Sequence, residues 1–251
     1  MLVLPTNPMK YLYKIIDLAL SVSIASITLA VTDTIAESAE GPKSFESPIQ
    51  LYGHKILFDV YRKDKRVGFH RVRFSQDAKT LSVESDFQLQ LKILYVPVFR
   101  YAYRSESLWR MGQLDRLSVT LDDDGKRSSL DATRVGNRIQ VDRASGSYMT
   151  DAPLFPTNHW NAAVLGQNRV LNTLTGRINS VRIELIVRET VHTERGDVPA
   201  TRYAYTGDLE TEVWYDDAGR WVKMRFAGRD GSPIEYICRR CQGGHNGQAL
   251  K

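Results

Sequence analysis

Residues 209–226, LETEVWYDDAGRWVKMRF, decide the fold. Two runs of alternating apolar and polar residues flank Asp216-Asp217-Ala218-Gly219. A period of two is the signature of a half-buried strand, so the stretch reads as a β-hairpin. Asp at the start of the loop and Gly at its end suit a type I turn followed by a left-handed residue. A four-residue loop sets Tyr215 against Arg220, Trp214 against Trp221, Val213 against Val222 and Glu212 against Lys223. One face then holds Leu209, Thr211, Val213, Val222, Met224 and Phe226. The other holds opposite-charge pairs and a Trp pair, each facing pair contributing roughly 0.2–1 kcal/mol. A three-residue loop would place Val213 opposite Lys223 and slip the whole apolar set, so the four-residue register is expected.

The rest of the chain extends this pattern. Strands are expected over residues 56–61, 67–74, 81–94, 98–109, 114–121, 128–135, 139–142, 178–191, 198–209 and 234–238. Charged or glycine-bearing turns such as Arg62-Lys63-Asp64-Lys65, Asp123-Asp124-Gly125 and Gly136-Asn137 separate them. Turns at intervals of about 8–12 residues indicate an all-β sandwich, barrel or wrapped sheet. The expectation is one antiparallel domain over residues 55–240, a strongly curved sheet or open β-barrel of about a dozen strands. Residues 151–176, DAPLFPTNHWNAAVLGQNRVLNTLTG, break the alternation. Thr157 or Asn158 can cap one short helix there, around Trp160. A long insert of this kind in a β domain is where functional residues often sit.

The N-terminus has the layout of a secretory signal. Lys10 and Lys14 precede an apolar run over 18–31, followed by small residues at Thr28-x-Ala30 and Thr34-x-Ala36. The run is short for a span, which needs ~20 residues. A cleaved signal over 1–36 and a periplasmic location are therefore expected, with an uncleaved inner-membrane anchor as the alternative. Residues 37–54 read as a linker and 241–251 as a polar tail. No later apolar run is long enough to span a membrane. Residues 1–36 carry two Lys and two Asp, so the formal net charge of +5 is unchanged by their removal. That charge is scattered along strands, as in Arg71-Val72-Arg73-Phe74, and no basic block or nucleic-acid motif accompanies it.

Candidate chemistry is sparse. Neither a G-x-S-x-G elbow, nor an HExxH pair, nor a phosphate-binding glycine loop occurs. His70, in mid-strand after Gly68, and His159, in the insert, could each act as a general base if a carboxylate oriented them. The only cysteines, Cys238 and Cys241, fit a disulfide in an oxidising compartment. With His245 they also form Cys-x2-Cys-x3-His, which lacks the fourth ligand of a structural zinc site, so no metal or cofactor is expected. The aromatics are the better lead. His70, Tyr101, Tyr103, Glu106, Trp109, Trp160, Asn161, Trp214 and Tyr215 are candidate lining for a groove or cavity that takes an apolar or amphipathic ligand such as a lipid. The same aromatics can equally be core and cross-strand packing.

The ordered series Gly68-x-His70, Tyr101-x-Tyr103 with Glu106 and Trp109, Asp124-Gly125, His159-Trp160-Asn161, Asn172-x-x-Thr175-Gly176-Arg177, Gly207-Asp208 and Trp214-Tyr215-Asp216 resembles the DUF6134 family of exported bacterial proteins. The resemblance runs from about Phe58 to Tyr236. It implies a β-rich envelope protein of Proteobacteria and carries no catalytic roles. In strand layout alone the chain is also similar to exported Gram-negative families whose curved sheet holds lipid, and such an analogy says nothing of function. The leading expectation is a non-enzymatic binding or envelope-assembly module. Its alternatives are a hydrolase-type enzyme using His70 or His159, and a structural or interaction protein. An apolar cavity would favour the first, a histidine–carboxylate pair in a cleft the second, and an exposed apolar patch or free strand edge the third.

Overall fold

A computed structural model describes residues 47–243 except Ala78 and Tyr95. The signal expected over 1–36, the start of the linker and His245 lie outside the described residues. A helical turn, α1 (Pro48–Tyr52), precedes fifteen strands. The first eight are β1 (Lys55–Arg62), β2 (Lys65–Asp77), β3 (Thr80–Ile93), β4 (Val96–Arg110), β5 (Gln113–Asp123), β6 (Lys126–Val135), β7 (Arg138–Arg143) and β8 (Gly146–Asp151). The remainder are β9 (Phe155–Pro156), β10 (Arg169–Asn172), β11 (Arg177–Thr193), β12 (Gly196–Gly207), β13 (Thr211–Asp216), β14 (Trp221–Ala227) and β15 (Pro233–Arg240).

All fifteen belong to one sheet, in the order β8-β7-β6-β5-β4-β3-β2-β1-β15-β14-β13-β12-β11-β10-β9. Every pair is antiparallel except β9–β10, which is parallel. The first and last strands therefore pair at the centre, Phe58 opposite Cys238, and two meanders grow outward from them. No backbone ladder closes the sheet. Its two ends nevertheless meet through side chains. Tyr148 Oη donates to the Gly176 carbonyl at 2.9 Å, and Arg169 Nη2 donates to Thr150 Oγ1 at 3.0 Å. The result is an open, barrel-like wrap.

Fifteen strands replace the expected dozen because β8, β9 and β10 fall where prolines, glycine and polar residues mask alternation. The expected α-helix around Trp160 is only a 3-10 turn, η1 (Ala162–Gly166), capped by Asn161 through its Oδ1. The α-helix of the described chain lies instead in the stretch read as linker. There Pro48 opens α1, and Tyr52 is buried completely. At the other end Cys241 and Gln242 are also buried, so the domain continues into the expected tail.

The register of the central hairpin differs from the expected one. Asp216 N donates to the Arg220 carbonyl at 3.0 Å, which leaves a three-residue loop of Asp217, Ala218 and Gly219. The Asp216 carboxylate explains this tightening. It accepts from Ala218 N and Arg220 N, each at 3.0 Å, and from Arg220 Nε at 2.7 Å. Gly219 takes the left-handed conformation at φ 76°. Tyr215 thus faces Trp221, but Trp214 faces Lys223 and Val213 faces Met224. The one-residue slip that would expose the apolar face is undone by a bulge at Val222, which restores alternation. Trp214 and Trp221 consequently lie on opposite faces of the sheet.

Candidate functional site

The concave side of the wrap is built from inward positions of the central strands. Phe58 from β1, His70 from β2, Phe87 from β3, Trp221 from β14 and Tyr236 from β15 meet there. Ring centroids lie 4.4 Å apart for Phe58–Trp221 and 5.7 Å for the stacked pair Phe87–Tyr236. Farther along, Trp109 meets Trp160 at 5.2 Å, and Trp160 meets Phe74 at 5.6 Å. These aromatics fill the concavity with the protein's own side chains.

The segment around Trp160 is a plug within this core. Tyr52 Oη donates to the Trp160 carbonyl at 2.9 Å and accepts from Trp221 N at 2.8 Å. Tyr215 Oη donates to the His159 carbonyl at 2.8 Å. Two phenols, Tyr52 from α1 and Tyr215 from β13, thereby hold two consecutive residues of the insert. The His159 ring lies 5.6 Å from Trp221, so the plug covers the Trp221 face and not that of Trp214.

Both histidines are interior and neutral. His70 shares a 2.7 Å hydrogen bond with Ser85 Oγ, and His159 Nδ1 lies 3.5 Å from Tyr205 Oη. Burial lowers the pKa of His70 to about 3, with the neighbouring His159 adding to the effect, and burial lowers that of His159 to about 4. A low dielectric disfavours the imidazolium, which explains both shifts. Among the described residues neither ring has a carboxylate hydrogen-bond partner, and both rings are buried. His70 Nδ1, His159 Nε2, Trp160 Nε1 and Asn161 Nδ2 are buried polar atoms without partners among the described residues.

The other candidates separate. Tyr103 and Trp109 are buried among the interior residues, with Trp109 Nε1 donating to Ser107 Oγ at 2.9 Å. Glu106 points outward and pairs with Arg104 at 2.9 Å. Its flanking aromatics alternate to the other face, so it has no part in an interior site. Trp214 lies on the outer face, where its indole donates to Glu189 at 2.6 Å. Lys223, Arg202 and Arg225 surround its ring at 5.0, 5.8 and 5.9 Å. Tyr215 is the plug anchor described above. Only Tyr101 reaches an open space.

That space is a depression of about 1180 Å3 at one end of the wrap, between β1–β2 and β3–β5. Its lining draws the apolar residues Val67, Phe69, Leu89, Leu91, Val98 and Tyr101 from both faces of the sheet, where β2 and β3 part. Seven cationic residues, Arg62, Lys63, Lys65, Arg66, Lys92, Arg100 and Arg127, share the lining with two carboxylates, Asp122 and Asp124. Asp230, Asp59 and Asp122 neutralise Arg62, Arg66 and Arg127. Lys63, Lys65, Lys92 and Arg100 are exposed and have no ion-pair partner among the described residues. At the base of the depression β2 and β3 approach so closely at Gly68 that a Cβ there would lie 1.9 Å from the Gln88 carbonyl oxygen. The sequence signal for this region was the lysine- and arginine-rich turn at 62–66, which reads as a solvated loop until β3 and β4 are placed beside it.

Cys238 and Cys241 form a disulfide. The Glu194 carboxylate, from the β11–β12 turn, accepts from Cys241 N at 3.0 Å and Gln242 N at 3.1 Å. Glu194 and the two sulfurs cluster within 4.8 Å. With the sulfurs bonded to each other, no thiolate is left to ligate a metal, and the arrangement is a clasp between the β11–β12 turn and the end of β15.

The model of a domain of unknown function, DUF6134, matches residues 58–239. The chain belongs to the DUF6134 family. Among solved structures, it is similar to a beta-barrel-like protein of domain of unknown function DUF1849 from Brucella abortus. The two share 10% identity at a TM-score of 0.55, over 74% of this chain and 95% of that one. This likeness shows the fold alone. No curated protein matches in sequence. Among the described residues no helix is long and apolar enough to cross a membrane.

Proposed function

We propose that this DUF6134 protein is an exported, periplasmic, non-enzymatic binding module that takes an anionic amphiphile. The observation that carries the reading is the open depression at Tyr101, whose lining combines apolar residues with four cations that have no ion-pair partner among the described residues. Ligand sites combine this kind of apolar lining with a few charged groups that fix orientation. An acyl or other apolar portion lies along Leu89, Leu91 and Val98, and Lys92 and Arg100 meet the negative head. The interior aromatics named in the sequence serve as scaffold for that site, because the concavity they line is already occupied.

Native mass spectrometry of the protein purified from its own periplasm tests this reading. The expected result is a co-purifying anionic amphiphile that is lost when Lys92 and Arg100 are changed to Gln. Protein free of any adduct, and indifferent to added short-chain anionic amphiphile, refutes it. A second reading, an interaction module, is favoured by one specific observation. Leu185, Ile186 and Val187 are exposed on β11, where β10 no longer pairs with it. Such a bare, apolar strand edge invites pairing with another chain.

A further inference from the structure

The β3–β4 hairpin runs on past its ladders with both neighbours, beside a β1–β2 hairpin that itself continues three residues past Gly68 to Lys65. Pairing of β2 with β3 starts at Gly68–Leu89, and pairing of β4 with β5 ends at Tyr101–Asp123. The β3–β4 ladder continues to Ile93–Val96. Four further residues at a strand rise of about 3.3 Å make an overhang of about 13 Å. On it Leu94 is 88% exposed, Val96 61% and Val98 48%. Together with the exposed run Leu185–Val187 on β11, this is one of two places where bare aliphatics cluster among the described residues.

The charge around the overhang is mainly positive, with Asp64, Asp122 and Asp124 as the nearby acidic residues. Strand alternation puts the β1–β2 and β5–β6 turns at the same end of the wrap as the β3–β4 tip. Lys63 and Lys65 flank the tip from the first turn, Lys92 and Arg100 from its own strands, and all four lack an ion-pair partner among the described residues. The projection is too narrow for a standard protein–protein interface, which buries about 800 Å2 per partner. Shallow insertion of a few aliphatics beneath a ring of lysines suits a surface of anionic lipid instead.

We infer that the β3–β4 tip docks on an anionic phospholipid bilayer, with Leu94 and Val96 entering the acyl boundary and Lys63, Lys65 and Lys92 on the headgroups. This rests on the amphiphile-binding reading in one respect: it names the bilayer as the source of the ligand, since the docked tip opens the depression toward the lipid. Vesicle co-sedimentation of the full chain, as cells process it, tests the inference. Phosphatidylglycerol-containing vesicles are compared with pure phosphatidylcholine.

The wild-type protein is expected to sediment with the anionic vesicles only, and to be released between about 0.05 M and 0.5 M salt, as the Debye length shrinks. At about fivefold per lysine near an anionic surface, K63Q/K65Q/K92Q lowers partitioning on the order of 100-fold. L94E/V96E lowers it by a similar factor, about tenfold for each aliphatic withheld. Both variants change exposed residues, and unaltered thermal melts show that they fold. Binding equal to wild type in either variant, or no binding of wild type to anionic vesicles, overturns the inference. An interface with a protein would give the latter result. Titration with a soluble short-chain anionic amphiphile separates the two claims. If L94E/V96E still binds it and wild type ignores vesicles, docking fails while the depression stands. If wild type binds vesicles and not the amphiphile, the depression fails and docking stands.

Discussion

Acidification should unfold this protein through two residues, His70 and His159. Both rings are buried and neutral, with pKa values lowered to about 3 and about 4 from an ordinary 6.5. The unfolded chain binds protons at both sites below pH 6.5, and the folded chain does not. Folding stability is therefore intact above pH 6.5 and falls as the pH drops toward the folded values. The loss is about 1.4 kcal/mol per pH unit for each histidine. At pH 4.5, two units below the ordinary value, His70 and His159 each remove roughly 2.5 kcal/mol, together ~5 kcal/mol as an upper bound. That is a large share of the 5–15 kcal/mol that holds a typical domain together, about half of a mid-range value. Urea denaturation followed by tryptophan fluorescence, at steps between pH 7 and pH 4.5, measures the slope. Unfolding should take up about two protons in the middle of this window. Replacing His70 by Asn should halve the slope, as should replacing His159 by Asn, even though each variant is less stable at neutral pH. A flat profile, or a slope unchanged in both variants, would refute the argument.

Two further perturbations probe the scaffold by thermal melting. Tyr52→Phe removes a hydroxyl that serves Trp160 O and Trp221 N at once. Two buried groups lose their partner, so the expected cost is about 2–4 kcal/mol, and a loss below about 0.5 kcal/mol would show that water replaces the phenol. Gly68→Ala puts a methyl 1.9 Å from the Gln88 carbonyl oxygen, where the obstacle is backbone. It should destabilise by about 3 kcal/mol and loosen β2 from β3, and a melting temperature equal to wild type would contradict the close approach.

The strands were legible because their chemistry is local. Alternation in β3 and β4, and the Asp-Gly turn at 124–125, announce themselves within a dozen residues. The hairpin register was not legible, because it depends on how one carboxylate, Asp216, gathers three donors and on a bulge three residues past the loop. Tyr52 looked like linker because its partners, Trp160 and Trp221, are 108 and 169 positions away. The same separation hid the depression. Its lysines and its apolar residues come from two hairpins, β1–β2 and β3–β4, that only the sheet order brings to one end. The candidates that sequence did suggest, Trp109, Trp160 and Tyr215, were marked by aromatic character, which core packing and ligand binding share.

The β1–β15 pairing also dictates when the molecule can be finished. A meander normally assembles from whichever hairpins are made first, and each half of this sheet can do so. The seam between the halves joins Phe58 to Cys238, so it closes a loop spanning nearly the whole described chain. Until the last strand has been synthesised and delivered, both halves expose an unpaired edge at what will become the middle of the sheet. Non-local pairings of this kind are slow to form, and open edges in the meantime attract other strands. A chain cut short by even its final ten or fifteen described residues would thus lack the strand that joins its two halves, and would be expected to aggregate before it could fold.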